Sequence, residues 1–443
     1  MSANRNYPLL LASQFLGAFG DNAILAVILG QLTFQQRAGL ISHSQLGAAS
    51  AVYTSLLFIP YVVFAPLAGY LNDRFAKSRW LLGGNLLKVL GTAIALVGVW
   101  HGGYWQGIGY LIVGIGGCMY SPAKYGILPE IVSHERLVKA NGTLEFLTLV
   151  AILTGFIGGA EMIDRLSVVH CYVILLGLYG AAVVLNAGMT LTPTHRRVHL
   201  RGSVDEFFAN FGSLLTDPRL ARVLCGTGVF WVCAAVTKMN FPPWGLNVLR
   251  QQSNTQIALL GLWLSLGMMV GAVLAGQLHR VGDLRGVRPY GWSMAVLVGL
   301  LGLVELLTGA GLLKIEPLDF GAHHAGRFEA WIHAAGLGGG RWKVAFMLIG
   351  TGVLAGLFLI PLNAALQSES DQGKLGKTIA TQNFVDNLGQ LAAGMMVYSG
   401  VRAGLDASGI FLFLSAVLAL VVTVLKVPPA SAAGDSESLD PDL

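Results

Sequence analysis

Three ionisable residues lie inside stretches of sequence that are otherwise long and apolar enough to cross a lipid bilayer. They are Asp21 in QFLGAFGDNAILAVILG, Lys124 in GGCMYSPAKYGILPE and Lys238 in GVFWVCAAVTKMNFPPWG. A charge at bilayer depth costs about 3 kcal/mol or more unless it faces a polar cavity or a partner, and such residues mark substrate pathways. Two lysines and a carboxylate suit a substrate that carries both signs of charge. The sequence therefore predicts a transport pathway.

Motifs of enzymatic chemistry are missing from the same sequence. None of the 10 histidines begins a His-x4-Asp pair, which a membrane acyltransferase would require. There is also no Walker loop and no Gly-x-Ser-x-Gly elbow. The 4 cysteines fall in apolar runs without metal-ligand spacing. We therefore expect a protein that is not an enzyme and that uses neither a metal nor a cofactor.

The composition indicates helices that span a membrane. Charged residues make up 12% of the 443 residues and hydrophobic ones 54%, so charge has about half its usual share in a soluble domain. The apolar runs lack the period-2 polarity of a β-barrel. At ~20 residues per helix, the chain has room for about twelve spans. The expected spans are residues 8–34, 46–71, 80–100, 105–130, 140–162, 168–191, 220–249, 255–279, 289–313, 344–368, 378–401 and 405–426.

The basic residues predict the orientation of the chain. Most of the 28 Lys and Arg residues fall in segments on the same side of the predicted bilayer as the N-terminus. Because an excess of positive charge marks the cytoplasmic face, both termini are expected in the cytoplasm. The pI near 9.0 follows from this bias and gives no reason to expect nucleic acid as a partner.

One long polar interruption divides the chain into two sets of six spans. We expect an N-terminal six-helix bundle at 1–191, a cytoplasmic linker at 192–219, a C-terminal six-helix bundle at 220–427 and a disordered cytoplasmic tail at 428–443. Within the linker, VDEFFANFGSLL has apolar residues at helical spacing, which predicts a short amphipathic helix along the membrane surface.

The two halves also carry a faint internal repeat. Placing Pro122 on Pro361 aligns Lys124 with Asn363 and Glu130 with Glu369. Parallel six-helix repeats with substrate bound between them are the architecture of the major facilitator superfamily. The expected fold is therefore an all-α membrane protein with twelve transmembrane helices in two pseudo-symmetric six-helix bundles.

The loop after the second span resembles the signature of that superfamily. GYLNDRFAKSR follows the pattern Gly-x-Leu-x-Asp-Arg-x-Gly-Arg-Arg, with Ala76 in place of the usual Gly and Lys77 in place of an Arg. The resemblance implies a cytoplasmic latch, in which the carboxylate engages a helix end and the basic residues hold the two halves together. The alternative is charge that only sets the topology. The latch residues would be Gly69, Asp73, Arg74, Lys77 and Arg79.

Five further blocks are similar to the bacterial lysophospholipid transporter family within this superfamily. They are QFLGAFGDNA (14–23), FAKSRWLLGGNLLKVLG (75–91), YSPAKYGILPE (120–130), LVKANGTLE (137–145) and PLNAALQ (361–367). The resemblance implies an inner-membrane flippase. It would move lysophosphatidylethanolamine and lysophosphatidylglycerol from the outer to the inner leaflet of the membrane. There a partner acyltransferase–acyl carrier protein synthetase would restore the second chain.

The charged residues fit a binding cavity for such a head group. In this architecture the first, fourth, seventh and tenth helices line the central cavity, and each carries one of the polar residues. A cation is needed for the phosphate and a carboxylate for the ammonium. Lys124 and Lys238 would supply the first, and Asp21 or Glu145 the second. The family has Arg at the position of Lys238, which keeps the charge with a different geometry. The expected cavity residues are Asp21, Asn22, Lys124, Glu145, Lys238 and Asn363.

Two alternatives remain open at the level of sequence. Asp21 and Lys238 could simply neutralise each other as an interhelical pair. Asp21 could instead carry a proton in a proton-coupled antiporter for amphipathic drugs or metabolites, although a nearby lysine would oppose protonation. Further polar residues in apolar surroundings suit structural and functional roles equally well. These residues are Asn85, Lys88, Gln382, Asn383, Asp386 and Asn387.

Overall fold

The computed structural model describes residues 3–133, 136–192, 200–280, 282–315, 332, 335–370 and 375–427. These residues form helices joined by turns. The helices are α1 (Ala3–Arg37), α2 (His43–Leu56), α3 (Phe58–Val63), α4 (Ala65–Arg74), α5 (Lys77–His101), α6 (Gly103–Gly126), α7 (Leu128–Ile131), α8 (Leu137–Arg165), α9 (Val168–Ala187), α10 (Leu200–Thr216), α11 (Pro218–Asn247), α12 (Asn254–Leu278), α13 (Val287–Gly302), α14 (Val304–Gly309), α15 (Trp342–Glu369), α16 (Leu375–Arg402) and α17 (Ala407–Val424).

Backbone hydrogen bonding explains why the apolar stretches become helices. In hydrocarbon there is no water to satisfy the N–H and C=O groups, so each segment must pair them internally. Where helices begin, side chains accept from the first free N–H groups. Ser42 forms a capping box with Gln45 at α2, and Asp217, Ser253 and Asp406 cap α11, α12 and α17.

The all-α membrane fold expected from the sequence is confirmed. The twelve predicted spans correspond in order to α1, α2–α4, α5, α6–α7, α8, α9, α11, α12, α13–α14, α15, α16 and α17. In the described part of the chain, 9 helices are long and apolar enough to cross a membrane. The fourth, ninth and eleventh spans fall outside this group. Polar residues interrupt α6 and α16, and α13 has only 16 residues.

The second predicted span differs from the expected single helix, because it is divided into α2, α3 and α4. Pro60 lies in α3, and Pro66 lies in the first turn of α4. A proline has no N–H to bond the carbonyl four residues earlier, so it weakens the helix over the preceding turn. The end of α2 at Leu56 is four residues before Pro60, as this effect predicts.

The two halves repeat the same packing pattern. In the first half α1 packs against α8 and α9, and α5 packs against α6 and α9. In the second half α11 packs against α16 and α17, and α13 packs against α15 and α17. Since these helices occupy corresponding places in the two sets of six, the bundles are pseudo-symmetric.

Glycines allow the close approach of α5 and α6. A β-carbon at Gly84 of α5 would lie 2.8 Å from the carbonyl oxygen of Gly116 in α6, and one at Gly91 would lie 2.8 Å from the backbone nitrogen of Val113. Helices in lipid associate through such small-residue contacts, because the hydrophobic effect gives them little help. The backbones of α5 and α6 can therefore touch.

Several sets of contacts join the halves. α2 packs on α11 and α16, and α8 packs on α12. The linker helix α10 contacts α4 in the first half and α11 and α16 in the second. Asn210 of α10 donates to Thr381 over 3.1 Å, and Lys377 donates to Glu206 over 2.9 Å. Residues 193–199 of the linker and the predicted tail at 428–443 lie outside the described residues, so the domain boundaries stay predictions.

Candidate functional site

Asp21 lies inside the first bundle, in contact with two other helices. Its Oδ2 is 2.6 Å from the Nζ of Lys88 in α5, and its Oδ1 accepts a 2.9 Å hydrogen bond from the hydroxyl of Tyr179 in α9. The chain of α1 leaves room for these groups with glycine, since a β-carbon at Gly20 would lie 2.7 Å from the Tyr179 ring. The Asp21 side chain remains 17% exposed, against 4% for Lys88. Asp21 is therefore the more accessible member of the ion pair.

The rings of two tyrosines surround Lys88. Its Nζ lies 5.4 Å from the ring centre of Tyr120 and 5.9 Å from that of Tyr179. Both distances are in the range of cation–π attraction. One turn earlier on α5, Asn85 donates to Asn186 of α9 over 2.6 Å. Lys88 thus completes a neutral pair with Asp21, and Asn85 ties α5 to α9.

Lys238 reaches across from the second half to the first. Its Nζ donates to the Oδ1 of Asn22 over 3.3 Å and lies 5.2 Å from the ring centre of Phe156 in α8. The side-chain amide of Asn22 donates in turn to the carbonyl of Ala18, 3.0 Å away. No carboxylate among the described residues pairs with Lys238. The sequence left open a direct ion pair between Asp21 and Lys238. That ion pair is absent, because Asp21 is paired with Lys88 instead.

Lys124 belongs to a second cluster, between α6 and α8. Its side chain is buried, and its Nζ lies 4.7 Å from the ring centre of Tyr125. The Tyr125 hydroxyl donates to the carboxylate of Glu145, which is exposed. Lys124 is also within electrostatic range of Glu145, Lys88 and Asp21. The charges of α1, α5, α6 and α8 therefore face a common region.

Asn363 is the polar residue of the tenth span, in α15. Its Oδ1 accepts a 2.7 Å hydrogen bond from Gln382 of α16. On α16, Asn387 donates to the carbonyl of Asn383, one turn earlier, while Asn383 itself is exposed and Asp386 is buried. The structure thus places Asn363 in a contact within the second half.

The predicted latch loop joins α4 to α5. Lys77 forms an ion pair with Glu130 of α7, so in this arrangement it holds two elements of the first half. Arg74 donates to the hydroxyl of Tyr70 over 3.0 Å, and Arg79 is exposed. Gly69 and Asp73 lie in α4, but their side chains are outside the described residues. The latch role of all these positions stays a prediction.

The second half has an ion pair that resembles the one between Lys77 and Glu130. Arg219, at the start of α11, donates through Nε and Nη2 to the two oxygens of Glu369 over 2.6 and 2.7 Å. The internal repeat aligned Glu130 with Glu369, and in the structure each of these glutamates binds a basic residue of its own half.

Sequence reasoning missed the polar contacts at the far end of the molecule, by which we mean the end opposite the termini. The carboxylate of Asp164, near the end of α8, accepts four hydrogen bonds of 2.8 to 3.0 Å from Asn254 and Thr255 at the start of α12. Gln36 of α1 also donates to Asn247 of α11 over 2.8 Å. The cap sequence Ser-Asn-Thr signals the start of α12, but no local pattern shows that an acid of the other half binds there.

Sequence reasoning also missed the aromatic partners of the charged residues. Asp21 contacts Tyr179, Glu145 contacts Tyr125, and Lys238 contacts Phe156. The sequence around these three aromatic residues does not distinguish them from packing residues. Lys238 and Lys124 are cations that can bind a phosphate, and the partly exposed carboxylate of Asp21 can bind an ammonium group. Among the described contacts, none joins Lys238 to Asp21 or Lys124.

Comparison with known proteins gives consistent matches over nearly the whole chain. Residues 10–394 match the profile of the Major Facilitator Superfamily. A protein of Photorhabdus laumondii named lysophospholipid transporter LplT is 30% identical over 428 residues, which are 96% of this chain and 95% of the relative. The protein of the same name from an Enterobacter species is 32% identical over 424 residues, 94% of each chain.

Solved structures share the fold at low sequence identity. A transporter of the POT family, crystallised with a thioalcohol-conjugated peptide, superposes with a TM-score of 0.69 at 12% identity and covers 95% of each chain. The human organic anion transporter MFSD10 superposes with a TM-score of 0.62 at 14% identity, covering 96% of this chain and 100% of the other. These similarities concern the arrangement of helices alone.

Proposed function

Since the chain belongs to the major facilitator superfamily, we propose that it is a lysophospholipid transporter that works by alternating access between its two helix bundles. The two relatives named above carry the name lysophospholipid transporter and match nearly the full chain. The chain is accordingly a multi-pass membrane transporter rather than an enzyme.

The observation that carries the proposal is the position of Lys238. It is a cation on α11 whose described contacts in the first half are a neutral amide, Asn22, and an aromatic ring, Phe156. An unmatched charge inside the membrane is costly unless a ligand or a polar cavity meets it. A phosphate group can meet this need, since charge-assisted hydrogen bonds to phosphate are among the strongest available to a lysine.

The rest of the site fits the same type of molecule. Lys124 offers a second cation, while Asp21 and Glu145 offer carboxylates for an ammonium group. We propose lysophosphatidylethanolamine and lysophosphatidylglycerol as substrates. The chain would move them from the outer to the inner leaflet of the bacterial inner membrane. Both termini would lie in the cytoplasm, where an acyltransferase–acyl carrier protein synthetase would add the second acyl chain.

Uptake by spheroplasts of cells that lack their own carrier tests this function. Labelled lysophosphatidylethanolamine should enter and be re-acylated, while diacyl phosphatidylethanolamine should stay in the outer leaflet. The Lys238→Arg variant keeps the charge and is the matched control for Lys238→Ala. Equal movement of both lipids, or movement of an amphipathic drug in their place, would contradict the proposal and favour the drug antiporter.

A further inference from the structure

A cavity of about 480 Å³ lies at the far end of the molecule, between the two halves. The first half contributes the start of α2. The second half contributes the last turns of α11, the helix α14, the end of α16 and the start of α17. Its volume is in the range of sites that hold small molecules. No residue of the proposed binding site lines it, so this cavity is a separate feature of the molecule.

The side chains that give this cavity its charge are acidic. Glu305 of α14 and Asp406, just before α17, both line it and are both exposed. Neither Lys nor Arg is among its described lining residues. Arg402 is close to Asp406 in the sequence, but its guanidinium carbon lies 5.7 Å from the ring centre of Tyr398. The cavity therefore attracts a cationic group.

Each of the two carboxylates uses one oxygen at the start of α17. Oε2 of Glu305 accepts from the hydroxyl of Ser408 over 3.1 Å, and Oδ1 of Asp406 accepts from the backbone N–H of Gly409 over 2.7 Å. Among the described residues, no hydrogen bond reaches Oε1 of Glu305 or Oδ2 of Asp406. Since a carboxylate can accept at both oxygens, each acid can still bind a ligand.

Asn240 of α11 adds a buried oxygen to the same cavity. Its side chain is only 1% exposed, and it is one of the lining residues. The amide nitrogen donates to the carbonyl of Ala407 over 2.8 Å, which fixes the orientation of the side chain. The Oδ1 atom has no hydrogen-bond partner among the described residues. Buried polar atoms almost always have partners, so a ligand with N–H donors would complete the hydrogen bonding of Asn240.

A primary ammonium group suits these oxygens better than a metal ion does. It has one positive charge and three N–H donors, and the cavity offers it Glu305, Asp406 and Asn240 as acceptors. Hard divalent cations take six or more oxygen ligands in a close shell. Among the described residues, no group of three His, Cys, Asp or Glu side chains is placed to hold a metal. A ligand whose only charge is a phosphate would be repelled by the two acids.

The start of α2 offers a place for a phosphate beside that ammonium group. Ser42 and His43 line the cavity there, and they lie at the N-terminus of a helix of 14 residues. The positive end of a helix dipole favours an anion. The acids of the second half and the helix start of the first half thus match the two charges of a phosphoethanolamine group.

We propose that this cavity binds the phosphoethanolamine head group of lysophosphatidylethanolamine before the lipid reaches the site around Lys238. This inference rests on the proposed function, under which the far end faces the outer leaflet. The ammonium group donates to Glu305, Asp406 and Asn240. Lysophosphatidylglycerol has no ammonium group and does not use this cavity. The two lipids are therefore distinguished at the far end.

Binding is tested first, without transport, on the purified full chain in detergent. In a chain whose native cysteines are replaced, Ser44→Cys places a thiol among the lining residues. Lysophosphatidylethanolamine should slow its reaction with a maleimide several-fold, and lysophosphatidylglycerol should not. Adding Glu305→Gln and Asp406→Asn removes both charges, keeps amide oxygens that can accept from Ser408 and Gly409, and should abolish the protection. Equal protection by both lipids, or no protection by either, would overturn the proposal.

Initial rates in liposomes then test the role of the cavity in transport. The double variant Glu305→Gln/Asp406→Asn should raise the KM for lysophosphatidylethanolamine about fivefold to tenfold and leave that for lysophosphatidylglycerol unchanged. The control Asp205→Asn changes an exposed carboxylate on α10 and should alter neither value. An unchanged KM for lysophosphatidylethanolamine, or an equal loss for both lipids, would overturn the proposal. If the wild-type chain moved neither lipid, the proposed function would fail, while protection of Ser44→Cys would still report the binding site.

Discussion

At the scale of single residues, the structure separates two kinds of membrane-embedded charge. Asp21 is matched by Lys88 over 2.6 Å, so that pair is neutral as a unit. Lys238 contacts only neutral groups among the described residues. Removal of one partner from a buried ion pair leaves an uncompensated charge, whereas removal of an unmatched charge relieves one. The two sites should therefore respond to substitution in opposite ways.

Lys238→Ala should reduce the initial rate of lysophosphatidylethanolamine uptake by about 10-fold to 100-fold, because a charge-assisted hydrogen bond contributes ~1.5–3 kcal/mol. Thermal unfolding of the purified variant should be unchanged or shifted upward. Lys238→Arg should retain uptake, since charge and reach are preserved. If Lys238→Arg is as inactive as Lys238→Ala, the positive charge is not what the substrate requires.

Asp21→Asn should lose transport and also destabilise the chain by ~3–5 kcal/mol, because it leaves Lys88 charged and unpaired. Adding Lys88→Met should restore the melting temperature in detergent without restoring uptake. Recovery of uptake in the double variant would show that Asp21 serves only to neutralise Lys88.

Sequence reasoning could find these residues but not their partners. The cost of a charge in an apolar run pointed to Asp21, Lys124 and Lys238 without any structure. The choice between Lys88 and Lys238 as partner of Asp21 depends on how α1, α5 and α11 are rotated about their axes. Rotation is set by packing, for example by the space that Gly20 leaves for Tyr179, and no single helix sequence contains that information.

At the scale of the helices, the far end is held by a carboxylate of one half and a helix start of the other. The backbone N–H groups of Asn254 and Thr255 both donate to Asp164. An anion at a helix N-terminus is also favoured by the helix dipole. This contact between α8 and α12 must break if the far end is to open.

Asp164→Ala should therefore raise the fraction of molecules with an open far end. A single cysteine at Ala258, which is buried in α12, would report this in a chain whose native cysteines are replaced. We expect its reaction with a membrane-impermeant maleimide to become several-fold faster. Asp406→Ala removes a helix cap within one half and is the matched control. Equal labelling rates in Asp164→Ala and the parent chain would show that this contact does not keep the far end shut.

The sequence predicted the number and order of the helical spans well, but it predicted less well whether each span is one continuous helix. Hydrophobic length gave twelve spans in the right order, because every span must bury its backbone in the same way. The division of the second span follows from Pro60 and Pro66, yet other prolines, such as Pro242 and Pro243, lie inside a single continuous α11. Whether a proline ends a helix depends on whether its neighbours restore the lost contacts, and neighbours come from the whole fold.

At the scale of the whole molecule, the two bundles set the shape of the substrate. Lys238 of the second half contacts Asn22 of the first, so a head group bound by Lys238 would lie between the halves and its acyl chain would have to run along apolar helix surfaces toward the lipid. A second acyl chain would have to fit the same opening while the head group is bound. Each methylene taken out of the leaflet also costs ~0.8 kcal/mol, which makes one chain far easier to move than two.

We expect selective movement of single-chain phospholipids. In competition against labelled lysophosphatidylethanolamine, unlabelled lysophosphatidylglycerol should inhibit, and monoacylglycerol and diacyl phosphatidylethanolamine should inhibit at least about tenfold less. Monoacylglycerol is the informative competitor, because it has the chain and lacks the phosphate. Inhibition by monoacylglycerol at the same concentration would mean that Lys124 and Lys238 do not recognise phosphate.

The unequal pairing of the charges also determines how the membrane voltage acts on the carrier. A rearrangement that moves Asp21 and Lys88 together displaces no net charge through the electric field. Movement of Lys238 does, and a full crossing of one charge is worth about 2.3 kcal/mol per 100 mV. Bound lysophosphatidylglycerol, whose only charge is its phosphate, would cancel that charge, whereas lysophosphatidylethanolamine also carries an ammonium group and would leave it unchanged. The voltage should then act on the return of the empty carrier and on the step that carries lysophosphatidylethanolamine, and leave the step that carries lysophosphatidylglycerol almost untouched.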